Sequence, residues 1–127
     1  MEKLNNANFI GPGIWFIIHR EALYSDLNKN DNFINFIYRT CEFFPCEECC
    51  IHCKKYLEKN SPINFYKKVI KYKNIDYNTG LLYWSWKFHN YVNRKLKKKI
   101  IPFNKVYDYY YNVIYGEKCD DVCSLSE

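Results

Sequence analysis

Leu81-Leu82-Tyr83-Trp84-Ser85-Trp86-Lys87-Phe88-His89-Asn90-Tyr91-Val92-Asn93-Arg94-Lys95-Leu96-Lys97-Lys98 is the stretch on which the fold turns. Leu81, Trp84, Phe88, Val92 and Leu96 recur in steps of three and four, the period of one helix face and not of a strand. The spacing predicts a helix over about 81–98, the longest in the chain. On it, His89 and Asn93 lie one turn apart and share a face, Asn90 borders that face, and Lys97 and Lys98 follow a further turn on. Hydrogen-bonding groups beside cations suit a ring system joined to a diphosphate. Taken singly, His89 reads as a packed core histidine and Asn93 as exposed helix surface.

Outward from this helix the chain reads as all-α. A first helix is expected from near Pro12, with Ile14, Trp15, Ile17, Ile18 and Leu23 as its apolar stripe. A break over Asp26 to Asp31 precedes a second helix over Phe33–Phe43. A third runs from Cys46 to about Glu58, stopped by Asn60-Ser61-Pro62. Residues 63–80 are rich in Lys, Asn and Tyr and read as a connection with at most a short helical piece. A fifth helix is expected over about Asn104–Tyr115. Four glycines and four prolines in 127 residues suit long helices better than a turn-rich β fold. The expected architecture is a four-helix bundle plus a short fifth helix: one domain over 1–115, with a flexible cysteine-containing tail over 116–127.

The third helix carries the second informative stretch, Phe44-Pro45-Cys46-Glu47-Glu48-Cys49-Cys50-Ile51-His52-Cys53, which holds four of the seven cysteines. Pro45 suits the first turn of a helix. Cys46 then falls in that turn, where the dipole and free N–H groups favour a thiolate. Cys46 and Cys49 have the spacing of a dithiol that closes and opens a small disulfide ring. Zinc is the rival reading, with Cys50, His52 and Cys53 as further ligands. A tetrahedral site usually draws on two separated segments, and the remaining Cys119/Cys123 pair lies far off in the tail, so no metal is expected. A dithiol needs an electron acceptor, which directs attention to flat-ring features elsewhere. Trp15 and His19 stand at i and i+4 on the first helix, with Tyr24 beyond them; alone, this trio reads as core packing.

Composition bounds the rest. Aromatic residues make up 20% of the chain, which suits either a bulky core or the walls of a flat pocket. The net charge of +5 sits largely in Arg94 to Lys99, either a solvated helix end or an anion site for phosphates. No segment approaches the roughly 20 apolar residues of a membrane span. Residues 1–13 lack a signal-peptide core, so the secretory route is not expected. Seven cysteines then point to redox or metal chemistry more than to a disulfide framework.

Three blocks, in order and spacing, make the chain resemble the Erv/ALR family of FAD-dependent sulfhydryl oxidases. The first is Gly11-Pro12-Gly13-Ile14-Trp15-Phe16-Ile17-Ile18-His19 with Tyr24 behind it, like G-x-x-x-W-x-x-x-H…Y. The second is Pro45-Cys46-Glu47-Glu48-Cys49 with His52, like P-C-x-x-C-x-x-H. The third, and the most specific, is Trp84 followed by His89-Asn90-x-Val92-Asn93-x-x-Leu96-x-Lys98, like W-x4-H-N-x-V-N-x-x-L-x-K. The resemblance is strongest to compact members encoded by large double-stranded DNA viruses, African swine fever virus among them.

The resemblance implies a bundle enclosing FAD and a homodimer. It implies that Cys46 and Cys49 are the active disulfide, with Cys49 against the flavin and Cys46 exchanging with an incoming dithiol. Gly11, Trp15, His19, Tyr24, His52, Trp84, His89, Asn90, Val92, Asn93, Leu96, Lys98 and Tyr110 would line or border the cofactor site. Electrons from client dithiol proteins, directly or through a thioredoxin-like relay protein, would reach O2 and give hydrogen peroxide. A viral member would act in the host cytoplasm, at the viral factory, or in the virion; a nucleic-acid or zinc-binding helical module is the alternative. The chain departs from the family where many members carry a structural bridge: Trp86 and Phe103 stand near those positions. Cys41, Cys50 and Cys53 are extra to the core motif, and their pairing stays open. Cys119 and Cys123 would serve as a shuttle pair or be incidental.

Overall fold

A computed structural model describes residues 7–44, 46–72 and 75–116. Five helices dominate it: α1 (Ala7–Leu27), α2 (Asn32–Glu42), α3 (Glu47–Lys59), α4 (Gly80–Lys95) and α5 (Phe103–Tyr115). The all-α class holds, with three adjustments. The longest helix is α1, at 21 residues against 16 for α4, and it starts five residues before Pro12. The fifth helix, at 13 residues, is longer than α2, at 11. Between α3 and α4 the expected plain connection is a 3₁₀ turn (Pro62–Phe65) and an antiparallel hairpin, β1 (Val69–Tyr72) and β2 (Ile75–Asn78). Its register pairs Val69 with Asn78 and Tyr72 with Ile75.

α1 is the central element, packed on α2, α4 and α5. Its last turn organises the neighbouring helix starts. Ser25 Oγ accepts the Phe33 N–H at the start of α2, 3.1 Å away. The adjacent Asp26 carboxyl group accepts the Leu81 and Leu82 N–H groups of α4, at 3.0 and 2.8 Å. Thr79, the local cap residue of α4, makes no side-chain cap bond, so the cap comes from another helix. Asp26 is thus a buried helix residue and not part of the loop.

Both α1 and α4 end in the same way, and not with glycine. Lys29 and Lys97 hold left-handed φ values of 55° and 58°. In each case the following residue bonds back five positions, Asn30 N–H to the Ser25 carbonyl and Lys98 N–H to the Asn93 carbonyl. These are Schellman turns with lysine in the position glycine usually takes. They stop α1 at Leu27 and stop α4 at Lys95, three residues short of the expected Lys98, and they fold Lys98 back over the last turn of α4.

The core is aromatic. Trp84, 1% exposed, meets Phe33 and Tyr56 edge-on and Phe88 at a tilt, and its indole N–H donates to the Asn60 carbonyl at 2.6 Å. Pairs of this kind contribute about 1 kcal/mol each beyond area burial. A disulfide, Cys41–Cys53, ties α2 to α3. Where the family resemblance leads one to look for a bridge, Trp86 and Phe103 pack edge to face with ring centroids 5.6 Å apart, joining α4 to the head of α5. The Trp86 indole N–H also donates to the Ile101 carbonyl. Among the described residues no helix is long and apolar enough to cross a membrane.

Candidate active site

The dithiol sits at the head of α3. Cys46 is the cap residue of that helix, outside its first turn, with extended backbone (φ −111°, ψ 124°). Its sulfur does the capping: the Cys49 N–H donates to Cys46 Sγ at 3.1 Å. The four cysteines of this stretch are therefore divided. Cys46 turns onto the helix end, Cys53 is buried in the bond to Cys41, and Cys46, Cys49 and Cys50 are free thiols at half-buried positions. Cys50 Sγ donates to the Phe44 carbonyl at 3.3 Å. Among the described residues no group of three His, Cys, Asp or Glu is placed to hold a metal ion.

Burial, the hydrogen bond to Cys46, and the charges of Cys46, Cys50 and Glu48 together hold the Cys49 thiol well above the usual thiol range. Cys49 therefore keeps its proton at neutral pH. Next to Phe44, an apolar recess of about 360 Å³ opens between α1 and α2, lined by Ile14, Phe36, Arg39, Thr40, Phe43 and Phe44.

The second cluster lies where α1 crosses α4. Trp15 and His89 stack almost parallel, 4.0 Å between centroids and 8° between planes. His19, 2% exposed, reaches from α1 between two residues one turn apart on α4. Its Nδ1 lies 2.9 Å from Ser85 Oγ and its Nε2 2.8 Å from His89 Nδ1. Tyr110 of α5 packs against His19 with centroids 5.2 Å apart. Asn93 is 5% exposed, and nothing among the described residues bonds its carboxamide. Lys98 is close enough for its charge to act on His89.

The other expected site residues fall as follows. Asn90 spends its carboxamide on Ile101, accepting the N–H at 3.0 Å and donating to the carbonyl at 3.1 Å, which fixes the α4–α5 connection. Trp84 is core, Val92 packs at the core margin, His52 is half-buried, and Tyr24 and Leu96 are half exposed at 47% and 50%. Gly11 belongs to the first part of α1, whose side-chain surroundings lie outside the described residues, as do Cys119, Cys123 and the whole expected tail from residue 117. Ser85 was not foreseen. A serine inside an apolar helical run signals nothing until the neighbouring helix brings a histidine to it.

Burial, with the charge of Lys98, lowers His89 to about 4; burial, with the charge of His89, lowers His19 well below 6.5. Both imidazoles are neutral at pH 7. Asp26 goes the other way: burial raises it to about 8, against the pull of its two backbone N–H bonds. The consequences for stability have definite signs. Between pH 6.5 and about 4 the unfolded chain takes up two histidine protons that the fold refuses, while the fold keeps one at Asp26 that the unfolded chain lacks. The net difference of one proton lowers stability by about 1.4 kcal/mol per pH unit as pH falls. Above pH 6.5 only Asp26 counts, and stability falls as pH rises towards 8. The unfolding midpoint should therefore peak near pH 6.5 and drop on both sides. A midpoint unchanged between pH 4.5 and 6.5 would contradict a neutral histidine pair.

The comparisons with known proteins agree with this geometry. The model of the Erv1 / Alr family matches residues 12–112, which takes in α1 from Pro12, the dithiol, the histidine cluster and most of α5. The chain is 32% identical over 104 residues to the FAD-linked sulfhydryl oxidase of an African swine fever virus isolate from a Kenyan pig, covering 79% of this chain and 78% of the relative. The proteins of the same name from a Malawian tick isolate and a Namibian warthog isolate are each 31% identical over the same length and coverage. No solved structure matches at a significant level. With a family match over most of its length and relatives above 30% identity on both, the chain belongs to the Erv1 / Alr family.

Proposed function

We propose that this chain is a FAD-linked thiol oxidase that forms disulfide bonds in dithiol substrates. The observation that carries the reading is a half-buried Cys46/Cys49 dithiol at the head of α3, in the same small domain as the Trp15/His89 flat-ring cluster between α1 and α4. The site suits FAD in its chemistry. Trp15 and His89 offer a flat surface for a ring, Asn93 an unpartnered carboxamide, His19 and Tyr110 a wall, and Lys98 a cation for a diphosphate. Gly11, Tyr24, His52, Val92 and Leu96 border it on the family pattern, and Asn90 acts through the Ile101 backbone. Bound FAD supplies the two-electron acceptor for the dithiol and the contact with O2, which is reduced to hydrogen peroxide.

The protein's own residues perform the exchange. In the oxidised pair, a substrate thiolate attacks Cys46 Sγ; the Cys46–Cys49 bond breaks and a substrate–Cys46 disulfide forms. A second substrate thiolate attacks the substrate sulfur of that bond. The substrate leaves as a disulfide, and two electrons and two protons stay on Cys46 and Cys49. While Cys46 is in the mixed disulfide, the hydrogen bond and the charge with which it holds the Cys49 proton are gone, so Cys49 is then easier to ionise. Dithiol client proteins, a thioredoxin-like relay protein, a homodimer, and a shuttle role for Cys119 and Cys123 complete the proposal. The test is oxygen uptake by the purified protein. Dithiothreitol should drive it, with hydrogen peroxide as product; a protein that consumes no oxygen with dithiols present would refute the reading.

A further inference from the structure

The hydrogen bonds around His19 leave no freedom in where the protons lie. Ser85 Oγ stands 2.7 Å from the Leu82 carbonyl, which only accepts, so the single hydroxyl proton of Ser85 is committed there. Towards His19 Nδ1, 2.9 Å away, Ser85 is therefore an acceptor, and His19 Nδ1 carries the proton. His19 is buried and neutral, so its Nε2 is bare and accepts from His89 Nδ1 at 2.8 Å. His89 is in turn neutral with its proton on Nδ1, which leaves its Nε2 as a bare acceptor. Among the described residues nothing bonds that atom, and the stack on Trp15 fixes the plane in which it is presented.

We propose that Ser85 is a positioning residue of the cofactor site: through His19 it sets the polarity of His89, so that His89 Nε2 accepts from an N–H or O–H donor of the bound flavin nucleotide. The inference rests on the flavin reading and sharpens it. A bare nitrogen repels phosphate oxygens, so His89 takes a ring amine, ring N–H or sugar hydroxyl, and the diphosphate falls to Lys98. Ser85 touches neither cofactor nor substrate. Reversing one bond would reverse the chain, because each neutral imidazole couples its two nitrogens. Without the Ser85 acceptor, His19 gains by moving its proton to Nε2, His89 Nδ1 must then accept, and the outer nitrogen of His89 becomes a donor.

The experiment is a long-range proton–nitrogen correlation of the purified holoprotein at pH 7 with ¹⁵N-labelled histidine, in wild type, Ser85→Ala and Ser85→Thr, with flavin affinity measured on each. Wild type should show His19 and His89 both protonated on Nδ1, with His52→Gln identifying the third histidine. Ser85→Ala should move proton density to Nε2 in both and weaken flavin binding about tenfold, the worth of one hydrogen bond of about 1.4 kcal/mol. Ser85→Thr keeps the hydroxyl and should restore both readouts. A wild-type His89 protonated on Nε2 overturns the proposal without any variant. So does a folded Ser85→Ala with unchanged tautomers and affinity. A purified chain that binds no flavin would refute the thiol-oxidase reading instead, while the tautomers of wild type still report on the Ser85 chain.

Discussion

Cys49→Ser should lower dithiol-driven oxygen uptake to background while leaving the fold and flavin content intact. The serine hydroxyl is close to the thiol in size, and the backbone N–H of residue 49 still caps onto Cys46 Sγ. What disappears is the second sulfur. Cys46 then has no partner with which to form a disulfide, and no dithiol carries electrons onward. Two outcomes on the same sample check this. Flavin absorption should not bleach when dithiothreitol is added without air, and mass spectrometry of the protein oxidised with a small disulfide should show a stable adduct on Cys46. Cys50→Ser is the control on the adjacent residue. Cys50 makes one weak sulfur bond to the Phe44 carbonyl, so its loss should leave turnover near wild type. Equal loss in both variants would show that the working pair is not Cys46 and Cys49.

Gly80→Ala should be the most damaging small substitution for the fold. A Cβ on Gly80 would lie 1.9 Å from the Phe65 carbonyl oxygen and 2.9 Å from the Lys68 carbonyl oxygen. Both are backbone atoms, held by the 3₁₀ turn and the Lys68 N–H bond to Phe65, so no side chain can swing aside. Relief would require the first turn of α4 to move, and that turn is pinned by Asp26 through Leu81 and Leu82. The expected cost is about 4 kcal/mol or more, a fall in unfolding midpoint of roughly 15 °C. Gly13→Ala is the matched control. Nothing lies within 4 Å of a Cβ there, and the site is an exposed helix position, so alanine should stabilise by about 0.5–1 kcal/mol. A Gly80→Ala protein as stable as wild type would mean that α4 does not approach the 3₁₀ turn this closely.

The two halves of the candidate site were legible in the sequence for different reasons. Trp15, His19 and His89 are fixed by helical spacing, and once α1 and α4 pack together the spacing delivers them to one place, with Asn93 one turn further along α4. Cys46 and Cys49 were legible by chemistry, but the role of Cys46 as a cap was not, because the helix begins one residue later than Pro45 suggests. The ends of α1 and α4 are hidden from the sequence, the break at Asp26 falling inside α1 and the stripe to Lys98 running past α4, because lysine occupies the left-handed position of each Schellman turn, where glycine is the usual signal. The hairpin was hidden in a Lys/Asn/Tyr-rich stretch. Its alternation, Ile70-Lys71-Tyr72 and Ile75-Asp76-Tyr77, is short enough to be lost in the composition.

Ser25, Asp26 and Ser85 were out of reach for a deeper reason. Each acts through a partner far along the chain: Phe33, Leu81 with Leu82, and His19. Single-sequence patterns report local periodicity, and these residues break none. Cys41 and Cys53 belong to the same class. Their pairing follows from the way α2 lies against α3, not from their spacing.

The most direct test of electron transfer from the dithiol to a bound flavin is to mix the purified protein with dithiothreitol in the absence of air and follow its visible absorption. Wild type should be a yellow protein whose flavin absorption bleaches on mixing and returns on admission of air. A protein without flavin absorption, or one whose flavin stays oxidised under excess dithiol, would contradict it.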